Sequence, residues 1–567
     1  MLLRLSIVLA LLAIVLVAPF ALRPDPDDGG VSLSSSDRLV IITPHNESIQ
    51  TEFAQGFARY MKRKHDREVF IDWRQPGGTS EIARFLKSEY STRFETLWKK
   101  KTRLPFTSAI RDGFQNGRIS DQVEAMVAKG GGAGPGATQG GWISDPTLLR
   151  NHGKEERAAA ARHLFLESDI GVGIDLFFGG GAYDFSKQAS FGALVPIDVS
   201  GTYGPEAIRE KHPRWFSDAI MPESVSGEPF RDPGFRWLGT VLSSFGICYN
   251  TDVLARLGFD DGLKQWDDLA DPRLSGQVAL ADPTKSGSTT KAFEMLIQER
   301  IQRLQATGLT ESEAVSQGWT EAMRLILKIS ANSRYFTDSA AKVPRDVALG
   351  DAAAGMCIDF YGRTFNELFQ DESGKSHVQF VMPRAGTSIG ADPIGMLRGA
   401  PSPDLAHLFI EFVLSPAGQK LWNYRPGEPG GPQRFSLRRP PIRKDFYETD
   451  NSSHRTDPDL NPYEIAEGFT YHPEWTGSLF ASLRFVIKCT CIDPHEEQQA
   501  AWESLIARGM PEDDLAHFED VSEIDYESVL EEIAPVLGRK DKVAEVQLAR
   551  ELAAIFRTRY EEIAHAK

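Results

Sequence analysis

The sequence predicts an α/β protein built as two lobes facing one cleft, and three observations carry that expectation. Short apolar runs alternate with stretches of helical periodicity, joined by tight turns. Two of those turns, Gly77-Gly-Thr-Ser80 and Ser286-Gly-Ser-Thr-Thr290, place small residues and hydroxyls at the start of a helix, yet lie far apart in the chain. Residues 238–250 read as one long extended segment able to cross between lobes. A chain of 567 residues also exceeds a single domain of about 100–200 residues, so more than one compact unit is expected.

The elements follow in order. Residues 38–43 form an apolar run suited to a buried strand. Pro44-His-Asn-Glu47 turns the chain, and residues 48–64 repeat Ile49, Phe53, Phe57, Tyr60 and Met61 at helical spacing. Residues 69–73 are a second strand, and 81–90 the helix after the Gly77 turn. From about 88 to 168 the pattern blurs and reads as an inserted excursion with a glycine-rich tip at 129–136. Strand patterns return at 173–178, 276–282, 354–361 and 378–382, and 394–397 could lead back to the first lobe. Residues 404–414, 416–422 and 543–560 have helical patterns, and the chain from about 475 is mostly helical and charged.

Composition narrows the function classes. Lys and Arg number 63 against 79 Asp and Glu, a net charge of −16, which lacks the basic footprint of nucleic-acid binding. Four cysteines (248, 357, 489 and 491) are too few for a disulfide scaffold: Cys248 and Cys357, in strand candidates, read as small buried hydrophobes with a disulfide as the alternative, and Cys489-Thr-Cys491 has the wrong spacing for a zinc pair or a thioredoxin-type site. Met1-Leu-Leu-Arg4 followed by an apolar run to residue 18 is an export signal. If it stays attached, residues 5–22 sit at the lower edge of what spans a bilayer, so segment 1–22 is a signal peptide or an anchor, followed by a linker over 23–36. The Lys129 stretch lacks the Gly-Lys-[Ser/Thr] ending of a phosphate loop. No nucleophile elbow or zinc helix is found, which speaks against an enzyme.

The binding candidates lie at strand ends. Glycine lets backbone approach a ligand, and unpaired N–H groups and hydroxyls at a helix start favour an anion. The bland alternative is that those Ser and Thr residues only cap their helices. Gly179-Gly-Gly181 reads as a tight turn or a loop lining the same cleft, and His45 and Asn46 follow the first strand.

The order of these segments resembles the exported substrate-binding proteins of ABC importers, in the branch of ferric-iron, thiamine and phosphonate or phosphate-ester binders. The likeness rests on Ile41-Ile-Thr-Pro-His-Asn46, Trp73-Arg-Gln-Pro-Gly-Gly-Thr-Ser-Glu-Ile82, Asp175-Leu-Phe-Phe-Gly-Gly-Gly181, Gly246-Ile-Cys-Tyr-Asn-Thr-Asp252 and Trp266-Asp-Asp-Leu-Ala-Asp-Pro272. The run 276–286, Gly390-Ala-Asp-Pro-Ile-Gly395 and the Leu414–Trp422 segment complete it. The resemblance implies a two-lobed type II periplasmic-binding-protein fold with a crossover hinge. Lobe I would comprise 37–238 and 396–474 with the insertion at 88–168, lobe II 239–395, and 475–567 a helical C-terminal extension.

The resemblance also implies ligand contacts at Thr43, His45, Asn46, Gly78, Thr79, Ser80, Gly180, Gly181, Ser286, Gly287, Ser288, Thr289 and Tyr361, none of them catalytic. Ferric binders offer two adjacent tyrosines, whereas this chain reads Asp359-Phe-Tyr-Gly362, so His45, Asp359 and Tyr361 are what remains for iron. A small anionic organic solute suits the turns better, with Fe(III) or its chelates as the alternative cargo. No cofactor is expected. The expected partners are that small ligand or ion and a membrane permease, with no nucleic acid and a monomeric chain in the periplasm or outside the cell. The alternative is a secreted or anchored enzyme, or a sensory or scaffold protein, on the same bilobal fold.

Overall fold

In a computed structural model, residues 37–119, 149–150, 153–448, 451–539 and 541–566 are described. The expected export segment, the linker and the glycine-rich tip lie outside the described residues.

The first lobe begins with β1 (Asp37–Ile42), α1 (Glu47–His65), β2 (Val69–Arg74) and α2 (Thr79–Thr102). It continues through α3 (Ser108–Gln115), α4 (Lys154–Leu166), β3 (Leu176–Phe178), α5 (Ala182–Phe191) and β4 (Leu194–Val195). A small hairpin, β5 (Ser224–Val225) and β6 (Glu228–Pro229), precedes β7 (Leu238–Ser243). The second lobe holds β8 (Phe245–Asn250), β9 (Val278–Ala281), α6 (Gly287–Gln305), α7 (Glu311–Ala331) and β10 (Ser333–Thr337). It closes with α8 (Lys342–Leu349), β11 (Ala354–Ile358), α9 (Asp359–Leu368) and β12 (Val378–Val381). The chain then returns along β13 (Gly390–Leu397) to α10 (Pro403–Leu414) and α11 (Pro416–Asn423) in lobe I.

The two sheets have orders β2-β1-β3-β13-β4, with β7 on β13, and β10-β9-β11-β8-β12. Each is mixed: β1 is parallel to β2 and β3, while β13 runs antiparallel to β3, β4 and β7. In the second sheet β9 is parallel to β10 and β11, while β8 is antiparallel to β11 and β12. The chain thus crosses twice, at Ser244 between β7 and β8 and through residues 382–389 between β12 and β13. This is the two-lobed fold with a crossover hinge. The crossings lie at these points rather than at 238/239 and 395/396, because β7 pairs with β13 along its whole length in the first sheet.

Two other boundaries move for reasons of packing. The region 88–115 is no loose insertion: α2 runs on to Thr102, and Tyr90, Phe94, Trp98 and Phe114 enter the same core as Ile42 and Phe177. The C-terminal extension starts before residue 475, since Phe469 and Tyr471 already sit in the core of lobe II. That core is continuous through α12 (Phe480–Ile487), α13 (His495–Ala507) and α14 (Lys542–His565), which supply Leu483, Trp502, Phe556 and Tyr560. Polar ends are satisfied across the seam: Trp319 Nε1 donates to Ile524 O (2.9 Å) and Trp502 Nε1 to Asn332 Oδ1 (2.7 Å). Removing a buried tryptophan such as these costs about 3–5 kcal/mol, so the extension is part of lobe II and no appendage. All four cysteines are buried and free. Among the described residues no helix is long and apolar enough to cross a membrane.

Candidate functional site

The cleft between the lobes is formed by the carboxyl ends of strands and the helix starts that follow them, where an open α/β sheet leaves a crevice. It contains two adjoining chambers of about 330 Å³ and about 350 Å³. Both are lined by Gly180, Gly287, Ser288, Ile358 and Asp392, so they are compartments of one space. A groove of about 550 Å³ between 195–199 and 396–403 touches lobe I only and lies outside the cleft.

The first chamber meets the starts of α2 and α6 from opposite lobes. At the mouth the lobes come close: a Cβ placed on Gly78 would lie 3.1 Å from Lys285 O. Gly179 (φ +89°) and Gly180 (φ +117°) follow β3 in conformations that favour glycine, and a Cβ on Gly180 would fall 2.5 Å from Thr79 Oγ1. The expected contacts Gly78, Thr79, Gly180, Ser286, Gly287, Ser288, His45 and Tyr361 all border this chamber. Gly181 borders the second.

Four other expected contacts turn away. Thr43 is buried, its hydroxyl donating to Phe178 O (2.7 Å) and accepting from His45 N (3.0 Å). Asn46 caps α1 by accepting from Ile49 N (3.1 Å). Ser80 is buried beside Asp184. Thr289 is buried and tied to Ser286, whose Oγ accepts from both its N (3.3 Å) and Oγ1 (3.1 Å). Ser286 itself is therefore spent as the cap of α6.

The iron set does not assemble. β11 ends at Ile358, and Asp359 begins α9, where it pairs with Arg363 (2.6 Å) and accepts from Phe360 N (2.8 Å). The His45 ring packs edge-on to Phe178 (4.7 Å), and its Nε2 faces Arg439 Nη1 at 3.4 Å. A guanidinium only donates, so Nε2 must be the acceptor, and the lone pair a metal would need is engaged. Burial, reinforced by Arg439, holds His45 well below the usual imidazole range and therefore neutral. Burial raises the Tyr361 phenol to about 12, away from phenolate. Among the described residues no cluster of three or more His, Cys, Asp or Glu is placed to hold a metal.

Arg439 is the functional candidate that sequence reasoning missed. It stands between an arginine and Pro-Pro in a loop-like stretch, with no local signal to mark it. Its side chain is 1 % exposed, ion-paired to Asp392 and stacked 4.4 Å over Phe360 and 5.4 Å over Trp422. Its backbone N–H donates to Trp422 O (2.9 Å), while Arg438, in the left-handed region (φ 53°), reaches Asp457 and Glu367 instead. Burial raises Asp392 above the usual carboxylate range, an effect that Arg439 opposes.

A donor and acceptor census decides what this chamber wants. Its carboxylates are spent: Asp392 on Arg439, Glu81 on Gly78 N (3.0 Å), and Asp338 on Lys342 (2.6 Å). Arg439 Nε is buried with no hydrogen-bond partner. Thr79 and Ser288 border the space; of the first-turn N–H groups, Glu81 N is taken by Gly78 O (3.0 Å) and Thr289 N by Ser286 Oγ (3.3 Å), which leaves those nearest the starts of α2 and α6 without an intrahelical partner. What remains unspent is donors, the complement of an anion.

The second chamber is walled by Tyr183 of α5, Phe245 of β8, and Tyr471 and Phe480 of the C-terminal extension. Tyr183 and Phe480 stack with centroids 4.4 Å apart. At its far side Lys291 bridges Glu228 (2.8 Å) and Glu294 (3.0 Å) and lies 3.4 Å over the Tyr471 ring. Burial opposes charge on Lys291, but these two carboxylates raise its pKa overall. Tyr471 (3.0 Å) and Thr476 (2.7 Å) complete Glu294, and Ser388 (2.5 Å) completes Glu228.

Comparison with known proteins gives the following. Residues 169–430 match the profile described as bacterial extracellular solute-binding protein. An uncharacterised protein of Haemophilus influenzae is 29% identical over 252 residues, 44% of this chain and 60% of that protein. A putrescine/agmatine-binding protein of Pseudomonas aeruginosa is 23% identical over 245 residues, 42% of this chain and 63% of the relative. The phosphoglycerate transport regulatory protein PgtC of Salmonella typhimurium is 22% identical over 205 residues, 36% of this chain and 43% of the relative. The matches thus span less than two thirds of each relative. Among solved structures, the periplasmic binding protein AfuA of Actinobacillus pleuropneumoniae aligns over 79% of this chain and 98% of its own, at 17% identity and TM-score 0.43.

Proposed function

We propose, from the premise that residues 169–430 are a bacterial extracellular solute-binding domain, that the chain captures a small anionic organic solute between its lobes and presents it for import. One observation carries the reading: Arg439, whose Nε is buried without a hydrogen-bond partner, lines a chamber entered by helix starts from both lobes. A ligand that touches both lobes stabilises the closed arrangement through those shared contacts. The partner is then a membrane permease that reads the closed surface, and the work is done outside the cytoplasmic membrane. The fold and family are those of binding proteins, and the cleft residues act by binding.

The names of the relatives point to both a phosphorylated acid and diamines, so the choice rests on this chain's own groups. The donor census favours the anion, and the engaged Nε2 of His45 disfavours Fe(III) as cargo. Thermal unfolding of the full chain in inorganic phosphate, glycerol phosphate, ferric citrate and putrescine tests this. An anion at 100 times its Kd should stabilise by about 2.7 kcal/mol. Stabilisation by ferric citrate or putrescine without any anion response contradicts the proposal.

A further inference from the structure

We propose that the two chambers form one bipartite site, in which the C-terminal extension accommodates the non-anionic part of the ligand. This inference rests on the anion reading above and adds the class of compound. The ligand is an organic anion, such as a phosphate monoester, with an apolar, ring-sized body that is uncharged or positive.

The two chambers are continuous. Gly180, Ser288 and Asp392 border both chambers, so a molecule anchored at Arg439 extends past them without leaving the cleft. Each chamber alone, at about 330 and about 350 Å³, is at the low end for an organic ligand, and together they suit one with two distinct parts. The linings differ in kind. The Arg439 side presents unspent donors, whereas the far side presents the rings of Tyr183, Phe245, Tyr471 and Phe480.

Charge then sets the polarity of the body. Glu228 and Glu294 share the one ammonium of Lys291, and Asp184 is offset by the Arg484 guanidinium beside it, so the chamber keeps one excess negative charge. A second anion there meets uncompensated charge in a desolvated site, while a neutral or cationic end does not. Two of the rings come from the extension, and Tyr471 is fixed by its N–H to Ser226 O (2.8 Å) and its hydroxyl to Glu294. Arg484 of α12 stacks 4.7 Å over Phe480 and donates to Thr290 Oγ1 (2.9 Å) in α6. The wall is thus tied to both the first-lobe hairpin and the second-lobe helix.

Calorimetric titration of the full chain with inorganic phosphate, phenyl phosphate and 4-carboxyphenyl phosphate tests the inference. Phenyl phosphate should bind about tenfold or more tighter than inorganic phosphate, because its ring is removed from water. The added carboxylate should erase that gain. Phe480→Ala should cut the preference for phenyl phosphate over inorganic phosphate about three- to tenfold. Tyr183→Ala, which removes the lobe I ring stacked on Phe480, should do the same and carries the test if the Phe480 variant does not fold. Equal affinity for inorganic and phenyl phosphate, or a preference unmoved by these variants, overturns the bipartite site and leaves the anion reading standing. No binding of any of the three overturns both.

Discussion

In the turn after β1, Thr43 donates to Phe178 and accepts from His45, and Asn46 caps α1. In the turn before α6, Ser286 likewise caps the helix and holds Thr289, but Ser288, two residues on, faces the cleft. Both turns are rich in hydroxyl or amide side chains at a helix start. They differ in how many such groups they carry beyond those the backbone consumes. A cap satisfies one or two orphan N–H groups; only a further hydroxyl, placed in the first turn rather than ahead of it, is left for a ligand. Thr79 at the start of α2 follows the same rule, because Glu81 and not a hydroxyl engages Gly78 N.

The comparison is broken most forcefully at Arg439, which lines the same chamber as both free hydroxyls. Arg439→Gln leaves Asp392 buried without its counter-ion, which costs about 3–5 kcal/mol of stability by denaturant unfolding. Anion affinity should fall by at least about a hundredfold, in line with the loss of a desolvated charged donor. Arg439→Gln combined with Asp392→Asn should recover most of the stability but none of the affinity. Recovery of both would show that Arg439 serves the fold alone.

The next test sets cap against free hydroxyl within one turn. Ser286→Ala should lower stability by about 1 kcal/mol with affinity nearly unchanged. Ser288→Ala should leave the unfolding midpoint in place and weaken an anion about fivefold, the loss of one hydrogen bond of about 1 kcal/mol. The opposite pattern would reverse the assignment.

The smallest effect concerns His45 and pH. Its folded imidazole is held well below its ordinary value by burial and Arg439, whereas the unfolded one takes a proton near about 6.5. Below that pH the unfolded state binds more protons, so the contribution of His45 is present above about 6.5 and is lost as pH falls. His407 and His495 are also lowered by burial, so the diagnostic is a difference. His45→Gln should flatten the acid side of the stability profile relative to the unmodified chain, and an unchanged slope would contradict a buried neutral His45.

Much of the frame was legible in the sequence because it is local. The apolar run at 69–73 became β2, the 238–250 segment became the two strands β7 and β8 flanking a crossing, and residues 404–414 and 416–422 became α10 and α11. What depended on tertiary pairing was not legible. Whether Thr43 or Ser288 keeps its hydroxyl is settled by Phe178 and Ser286. Asp359 read as a strand residue near the cleft, but Arg363 one turn later draws it into α9. Arg439 is distant in sequence from every predicted turn, Tyr471 fell at the end of the stretch assigned to lobe I, and Phe480 lies in a segment whose helical, charged pattern gave no hint of a cleft wall.

The central claim is that an anion is held between the lobes by Arg439. A crystal structure of the full chain grown with phenyl phosphate tests it most directly. The account predicts the phosphate oxygens within hydrogen-bond distance of Arg439 Nε, Ser288 Oγ and Thr79 Oγ1, contacts drawn from both lobes. A phosphate bound elsewhere, or touching one lobe only, would contradict it.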